Sequence, residues 1–330
     1  MIRLSTADPS PVTAGTVQTT YSAEDMSLLE LWNGTRASSD DDDDFLMWNT
    51  RIITLIAPFI ALFGLVGNGI VIWFLGFRIK RNKFTVYILN LAVADFLFLL
   101  SHLMIFVFLI LSNLDYFDYD IVNIQRVIVI LYVFGCTISQ YLLTAISAER
   151  CLSTLYPIWY HCWRPRHQSP ILCAVLWALA SLVAGTEHFV CIEMNSEMQP
   201  GICHAVAFFT CLLTFLVFTP IMVTSSLILL IKVRSSSLRR QPPKLYIIIV
   251  VTVALFLISS IPFRVLLFLI NYYDKFPNFI FFTCSILLST MSSCLNPFVY
   301  FYLGSRGRCR TSRSLKEVLQ GIFKDETTES

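Results

Sequence analysis

Charged side chains are scarce in this sequence. Asp, Glu, Lys and Arg make up 14% of its 330 residues, where a soluble domain carries about 25%. Glycine and proline are sparse as well, at 12 and 13 residues, which excludes collagenous and low-complexity chains. Apolar residues take their place: 56% of the chain is hydrophobic and 27 residues are Phe, far too many for a disordered protein. Such a chain has too little polar surface to cover itself in water, and a single soluble core stops growing near about 250–300 residues. A cytosolic globular enzyme is therefore excluded. No repeat occurs at a fixed period, and no nucleic-acid partner is expected.

A hydrocarbon core about 30 Å thick is crossed by roughly 20 apolar residues of helix. Seven windows meet that requirement, at 52–77, 84–112, 124–149, 170–192, 204–232, 244–271 and 277–303. Closed β-barrels need alternating strands of about ten residues, and these windows are too long and too continuously apolar for that. The expected fold is an all-α membrane protein, a seven-helix transmembrane bundle over 51–303. Residues 304–330 follow as a cytoplasmic tail. Its stretch 304–323, with Arg306, Arg308, Arg310, Leu315, Val318, Leu319, Ile322 and Phe323, predicts a short amphipathic eighth helix lying on membrane lipid.

Residues 1–50 are polar, lack the pattern of a cleavable signal peptide and end in the acidic run Asp40–Asp44. They predict a disordered acidic extracellular segment. The sequon Asn33-Gly34-Thr35 makes Asn33 the candidate glycosylation site. Orientation follows from the bases near the membrane. With the N-terminus outside, the cytoplasmic loops and tail hold 18 of the 24 Lys and Arg residues, and the outer side holds six bases against 16 acids. A multi-pass plasma-membrane protein with an extracellular N-terminus is the expectation. The acidic outer side should raise the local concentration of cations, so a basic peptide is the first candidate ligand and a small cation the second.

Ionisable groups at membrane depth are costly and are candidates for function. Asp95 stands in the middle of span two, and Asn68 in span one, Ser139 in span three and Asn296 in span seven can complete a polar cluster around it. A carboxylate among neutral oxygens suits a monovalent cation such as Na+; a plain interhelical hydrogen-bond network is the equal alternative. At the inner end of span three stand Glu149-Arg150-Cys151, with Pro157 seven residues after the arginine. Span seven ends in Asn296-Pro297-Phe298-Val299-Tyr300, and Pro262 interrupts span six.

Gly67-Asn68, Leu91 to Asp95, Glu149-Arg150-Cys151, Trp177, Pro220, Pro262 and the Asn-Pro-x-x-Tyr of span seven, in this order, resemble the rhodopsin-like (class A) G protein-coupled receptors. Leu155-Tyr156-Pro157-Ile158-Trp159-Tyr160 and Arg164-Pro165-Arg166-His167 narrow the resemblance to the Mas-related receptors. Phe84 to Ile88 and Tyr141 to Ser147 place the chain near the Mas branch of that family.

The resemblance implies no enzyme chemistry and no cofactor beyond Na+ at Asp95. It implies a heterotrimeric G protein, and arrestin, as cytoplasmic partners. Glu149, Arg150, Pro157 and Tyr300 would serve coupling and activation. It also implies a bridge between Cys191 and Cys203, because the cysteine that most class A receptors carry at the outer end of span three is here Gln125. The family has an acid at the position of Glu187, which in some members pairs with basic ligands; its accompanying acid would here be Ala207. Arg264 could take an anionic group or pair with Glu187, and Phe263 and Tyr272 would wall the same site. Ser260 and Pro242 replace a Trp and an acid usual in the class, which removes two restraints on the inactive state. Cys309 is a candidate for palmitoylation, a free thiol being the alternative. The competing functions are an ion or small-molecule transporter along Asp95, His102 and Glu187, disfavoured by the odd span count and lack of inverted repeats, and an intramembrane enzyme, for which no acid pair or Ser–His arrangement converges.

Overall fold

The apolar windows form helices because a helix closes its own backbone hydrogen bonds where water is absent. The computed structural model describes residues 41–78, 83–112, 119–165, 167–193, 200–235, separate positions from 251 to 269, and 279–305. Span one is the helix Asp41–Trp73 with a π-helical turn at Phe74–Arg78. Span two is Thr85–Ser112 and span three Tyr119–Leu155. A short loop helix, Pro157–Cys162, leads to span four, Gln168–His188, which continues in a π-helical turn at Phe189–Glu193. Span five runs through Pro200–Leu212, a π-helical stretch Leu213–Phe218 and Thr219–Ser235. The described positions of span six are helical, and span seven is Phe279–Ser305. Among the described residues there is no strand, and five helices are long and apolar enough to cross a membrane.

Two boundaries depart from the sequence expectation. The described part of the first helix opens at Asp41, so residues 41–50 of the stretch expected to be disordered are helical. Span three runs past residue 149 to Leu155 and stops where Pro157 dictates. Tyr156, just before the proline, leaves the helical region at φ −125°, ψ 63°, as pre-proline residues do. Pro157 then opens the loop helix, where a missing N–H is tolerated. In span five the absent N–H of Pro220 releases a carbonyl one turn earlier. The adjoining stretch widens, with the Thr219 N–H reaching back five residues to the Thr214 carbonyl. Asn33 and Cys309 lie outside the described residues, as do Phe263, Tyr272 and all of the expected eighth helix at 304–323 beyond Ser305.

The polarity of the bundle is the reverse of a soluble protein's. Leu55, Phe59, Phe63 and Val66 of span one and Ile171, Val175 and Leu182 of span four are exposed, whereas Asn68, Asp95, Ser139, Ser293 and Asn296 are buried. Lipid tails accept the first set without cost and would not accept the second. Span three sits in the middle, packed on spans two, four and five, while span one packs on spans two and seven. Tyr87, Leu91, Ile138, Leu142 and Met222 anchor the buried apolar cluster between them.

Small residues let membrane helices approach closely, and Gly135 is the clearest case here. A Cβ at that position would lie 2.9 Å from Cβ and 3.0 Å from both Cα and N of Phe98, so the obstruction is backbone and cannot swing aside. Gly185, by contrast, has nothing within 4 Å of such a Cβ. We predict that Gly135→Val destabilises the bundle by about 1–3 kcal/mol, the usual cost of overpacking. Gly185→Ala should be neutral or slightly stabilising, given the better helix propensity of alanine. Thermal inactivation of the two purified variants checks both.

Candidate functional site

Three layers of polar side chains cross the bundle. In the middle layer Asp95, fully buried, accepts hydrogen bonds on Oδ1 from Ser139 Oγ at 2.9 Å and on Oδ2 from Asn296 Nδ2 at 2.7 Å. Spans two, three and seven thus meet at one carboxylate. Asn68 belongs to this layer but does not touch Asp95. Its Nδ2 donates to the backbone carbonyls of Gly64 at 2.9 Å and Ser293 at 3.2 Å, which ties span one to span seven. Each Asp95 oxygen carries more than one lone pair, so the carboxylate keeps acceptor capacity toward a cation. Trp177 adds a further tie by donating from Nε1 to Asn90 Oδ1 at 2.9 Å.

The inner layer is built around Glu149. Its Oε1 accepts from the Tyr87 hydroxyl at 3.0 Å and from Arg164 Nη2 at 2.7 Å, and the two charged side chains are almost wholly buried. Arg164 also donates to Ser169 Oγ at 2.7 Å, and its guanidinium lies 4.7 Å from the centre of the Tyr160 ring. Burial opposes the Arg164 charge, but the hydrogen bond with Glu149 and the neighbouring Tyr160, Glu149 and Tyr87 outweigh it and hold the group above its ordinary range. Lys83 reaches the Tyr160 carbonyl at 3.4 Å from the other side, so the loop helix is fastened to both spans two and three. Arg150 points elsewhere: it is buried, with its guanidinium 3.3 Å from the centre of the Phe84 ring. Below it the loop helix presents Ile158 and Trp163, each 77% exposed. These two, with Leu155, Tyr156, Pro157 and Trp159, line an open apolar cleft of about 430 Å³. Tyr300 lies on the last turns of span seven.

The outer layer holds Glu187 on span four and Arg264 on span six, 8% and 5% exposed. Arg264 Nη2 donates to Thr137 Oγ1 on span three. Among the described residues Glu187 Oε2 has no hydrogen-bond partner. The direct Glu187–Arg264 ion pair that the sequence also allowed is not formed; among the described residues the ion pair is Arg164–Glu149. The two outer charges nevertheless act on each other and on Tyr141 and Cys211, so all four share one region of the bundle. Phe189 and Phe208, near the outer ends of spans four and five, are half-exposed. Closing the layer, Cys191 and Cys203 form the implied disulfide with Cα atoms 4.8 Å apart. It joins the end of span four to the first turns of span five, and closure of a 12-residue separation is worth about 3 kcal/mol in the chain-entropy model.

The family model described as "7 transmembrane receptor (rhodopsin family)" matches residues 67–300. Proto-oncogene Mas of Mus musculus is 44% identical over 301 residues, covering 89% of this chain and 88% of its own. Mas-related G-protein coupled receptor member H of the same species is 44% identical over 296 residues, with 89% and 88% covered. Member X2 of Macaca mulatta is 36% identical over 325 residues, 96% and 92%. The chain belongs to the Mas-related G protein-coupled receptors. Membership makes it a receptor and not an enzyme, and the transporter reading falls with it.

The structure thus brings Asp95, Ser139 and Asn296 into one set of hydrogen bonds, sets Asn68 beside it, and places Glu187 and Arg264 in a second layer. Four side chains of these layers were not singled out as site residues in the sequence. Arg164 reads there as one more cytoplasmic base, and Tyr87, Ser169 and Thr137 as ordinary span residues. The available signal was the acid Glu149 itself, which needs a cation at an apolar helix end while its neighbour Arg150 cannot turn to the same side.

Removing one partner of a buried ion pair leaves the other uncompensated, at a typical cost of about 3–5 kcal/mol. Arg164→Ala should therefore lower surface expression and thermal stability of this receptor sharply. Arg164→Lys should recover only part of the loss, since a point charge cannot serve Glu149 and Ser169 together as a guanidinium fork does. Flow cytometry at matched transcript level, with thermal inactivation of the purified variants, reads both.

Proposed function

We propose that this receptor responds at its outer face to a basic peptide or small cation anchored by Glu187, with Arg264, Phe263 and Tyr272 completing the site. The observation that carries this reading is the Glu187 carboxylate: buried, with Oε2 left without a hydrogen-bond partner. A buried acceptor in that state costs free energy that a ligand's cationic donor would recover. The acids outnumber the bases on the outer side, 16 to six, which supports attraction of such a ligand. The same asymmetry supports an extracellular N-terminus in the plasma membrane, and so does the Cys191–Cys203 bond, which persists on an oxidising side.

On the cytoplasmic side a heterotrimeric G protein is engaged through Arg150, Glu149, Pro157 and Tyr300, and arrestin uses the same face. The exposed apolar cleft of the loop helix supports a protein partner there. Release of Arg150 from the Phe84 ring is the step that would offer its guanidinium to that partner. Na+ at Asp95 completes the reading: the carboxylate ties three spans, so a cation there would bias how they pack.

Two measurements test these assignments. G protein dissociation in cells given a panel of basic peptides and amines should show a response that Glu187→Gln abolishes at equal surface expression. A normal response of that variant removes Glu187 from the ligand site. Second, replacing choline chloride by NaCl should raise the thermal stability of the purified receptor, by about 1.4 kcal/mol if Na+ is present at ten times its dissociation constant, and should leave Asp95→Asn unchanged. An equal response of the two proteins would return Asp95 to a plain hydrogen-bond network.

A further inference from the structure

Glu187 and Arg264 present a problem that a cation alone does not solve. Both are more than nine-tenths buried, they carry opposite charge, and each lies in the other's field. At low dielectric that attraction is strong, and two long side chains serving only structure would close into contact. They do not: Arg264 turns to the neutral hydroxyl of Thr137, and a Glu187 oxygen is left bare. A monocationic ligand would neutralise Glu187 but set a second positive charge beside Arg264, whose described partner is only a hydroxyl. An uncompensated buried cation is heavily penalised. An anion alone would impose the same penalty on Glu187.

We infer that the Glu187–Arg264 layer is a site for a zwitterionic ligand group, which brings a guanidinium or ammonium to Glu187 and a carboxylate to Arg264. The inference rests on the reading of Glu187 as a cation anchor and adds the second half of the recognition. A ligand of this class leaves the layer electrically neutral, gives the bare Glu187 oxygen a charged donor, and offers the planar Arg264 fork the bidentate acceptor it matches. A peptide ending in arginine, with its C-terminal carboxylate free, carries both groups on one residue.

The test uses three probes on the full-length receptor in lipid nanodiscs: N-acetyl-Phe-Arg with a free carboxylate, its C-terminal amide, and its citrulline counterpart. Binding is followed by isothermal titration up to millimolar probe. The free acid should bind at least about tenfold more tightly than either analogue, since each analogue forfeits one charge-assisted contact. Arg264→Gln should erase the preference for acid over amide, and Glu187→Gln the preference for arginine over citrulline. If a single variant fails to fold, the Glu187→Gln/Arg264→Gln double variant, neutral like the wild-type layer, should show neither preference. Equal affinity for acid and amide, with citrulline still weaker, overturns the inference while leaving Glu187 as a cation anchor. Equal affinity for arginine and citrulline overturns both, and binding of none of the three overturns the inference.

Discussion

In the hydrocarbon core of a bilayer no water is present to satisfy a polar group, and most of this receptor's architecture answers to that constraint. It makes the spans helical, since any other backbone would leave its amides unpaired. It turns Leu55, Phe59 and Phe63 outward and Asn68, Asp95 and Asn296 inward. It also decides which polar contacts are possible, because a carboxylate at that depth must be met by donors from neighbouring helices. Asp95 is met by spans three and seven, Glu149 by span two and the loop behind it. The outer layer departs from the rule: an oxygen of Glu187 goes unmet.

That departure sets the outer layer apart from the inner one. The inner layer is closed around Oε1 of Glu149, which takes both a tyrosine hydroxyl and a guanidinium, and the arrangement binds the loop helix to the bundle. The outer layer has the charges for a comparable closure and does not make it. A site that holds opposite charges apart keeps a recognition potential that a closed ion pair would lose. The disulfide beside it fixes the ends of spans four and five, so the open arrangement sits on a braced frame.

The sequence made much of this legible, and unevenly. Spans were readable because an apolar run of more than 20 residues has few other solutions. Asp95 was readable because a single carboxylate stands out in Leu91-Ala92-Val93-Ala94, and Ser139 and Asn296 followed from their depth in spans three and seven. Arg164 was hidden for the opposite reason: a base beside a cytoplasmic loop is what the charge rule expects there, so its burial left no mark in the sequence. Thr137 was hidden because a threonine in a membrane helix usually satisfies itself, as it also does here by donating to the Val133 carbonyl at 2.8 Å.

The near contact of Gly135 with the Phe98 backbone has a mechanical meaning. Helices usually slide and roll over one another on a cushion of interlocked side chains, and at Gly135 that cushion is missing between spans two and three. A sliding motion at that one level would meet the Phe98 backbone instead of a side chain able to give way. Asp95 and Ser139, one on each span and about one turn away, add a hydrogen bond to that close approach, so the two spans are clamped at that depth by polarity and by size together.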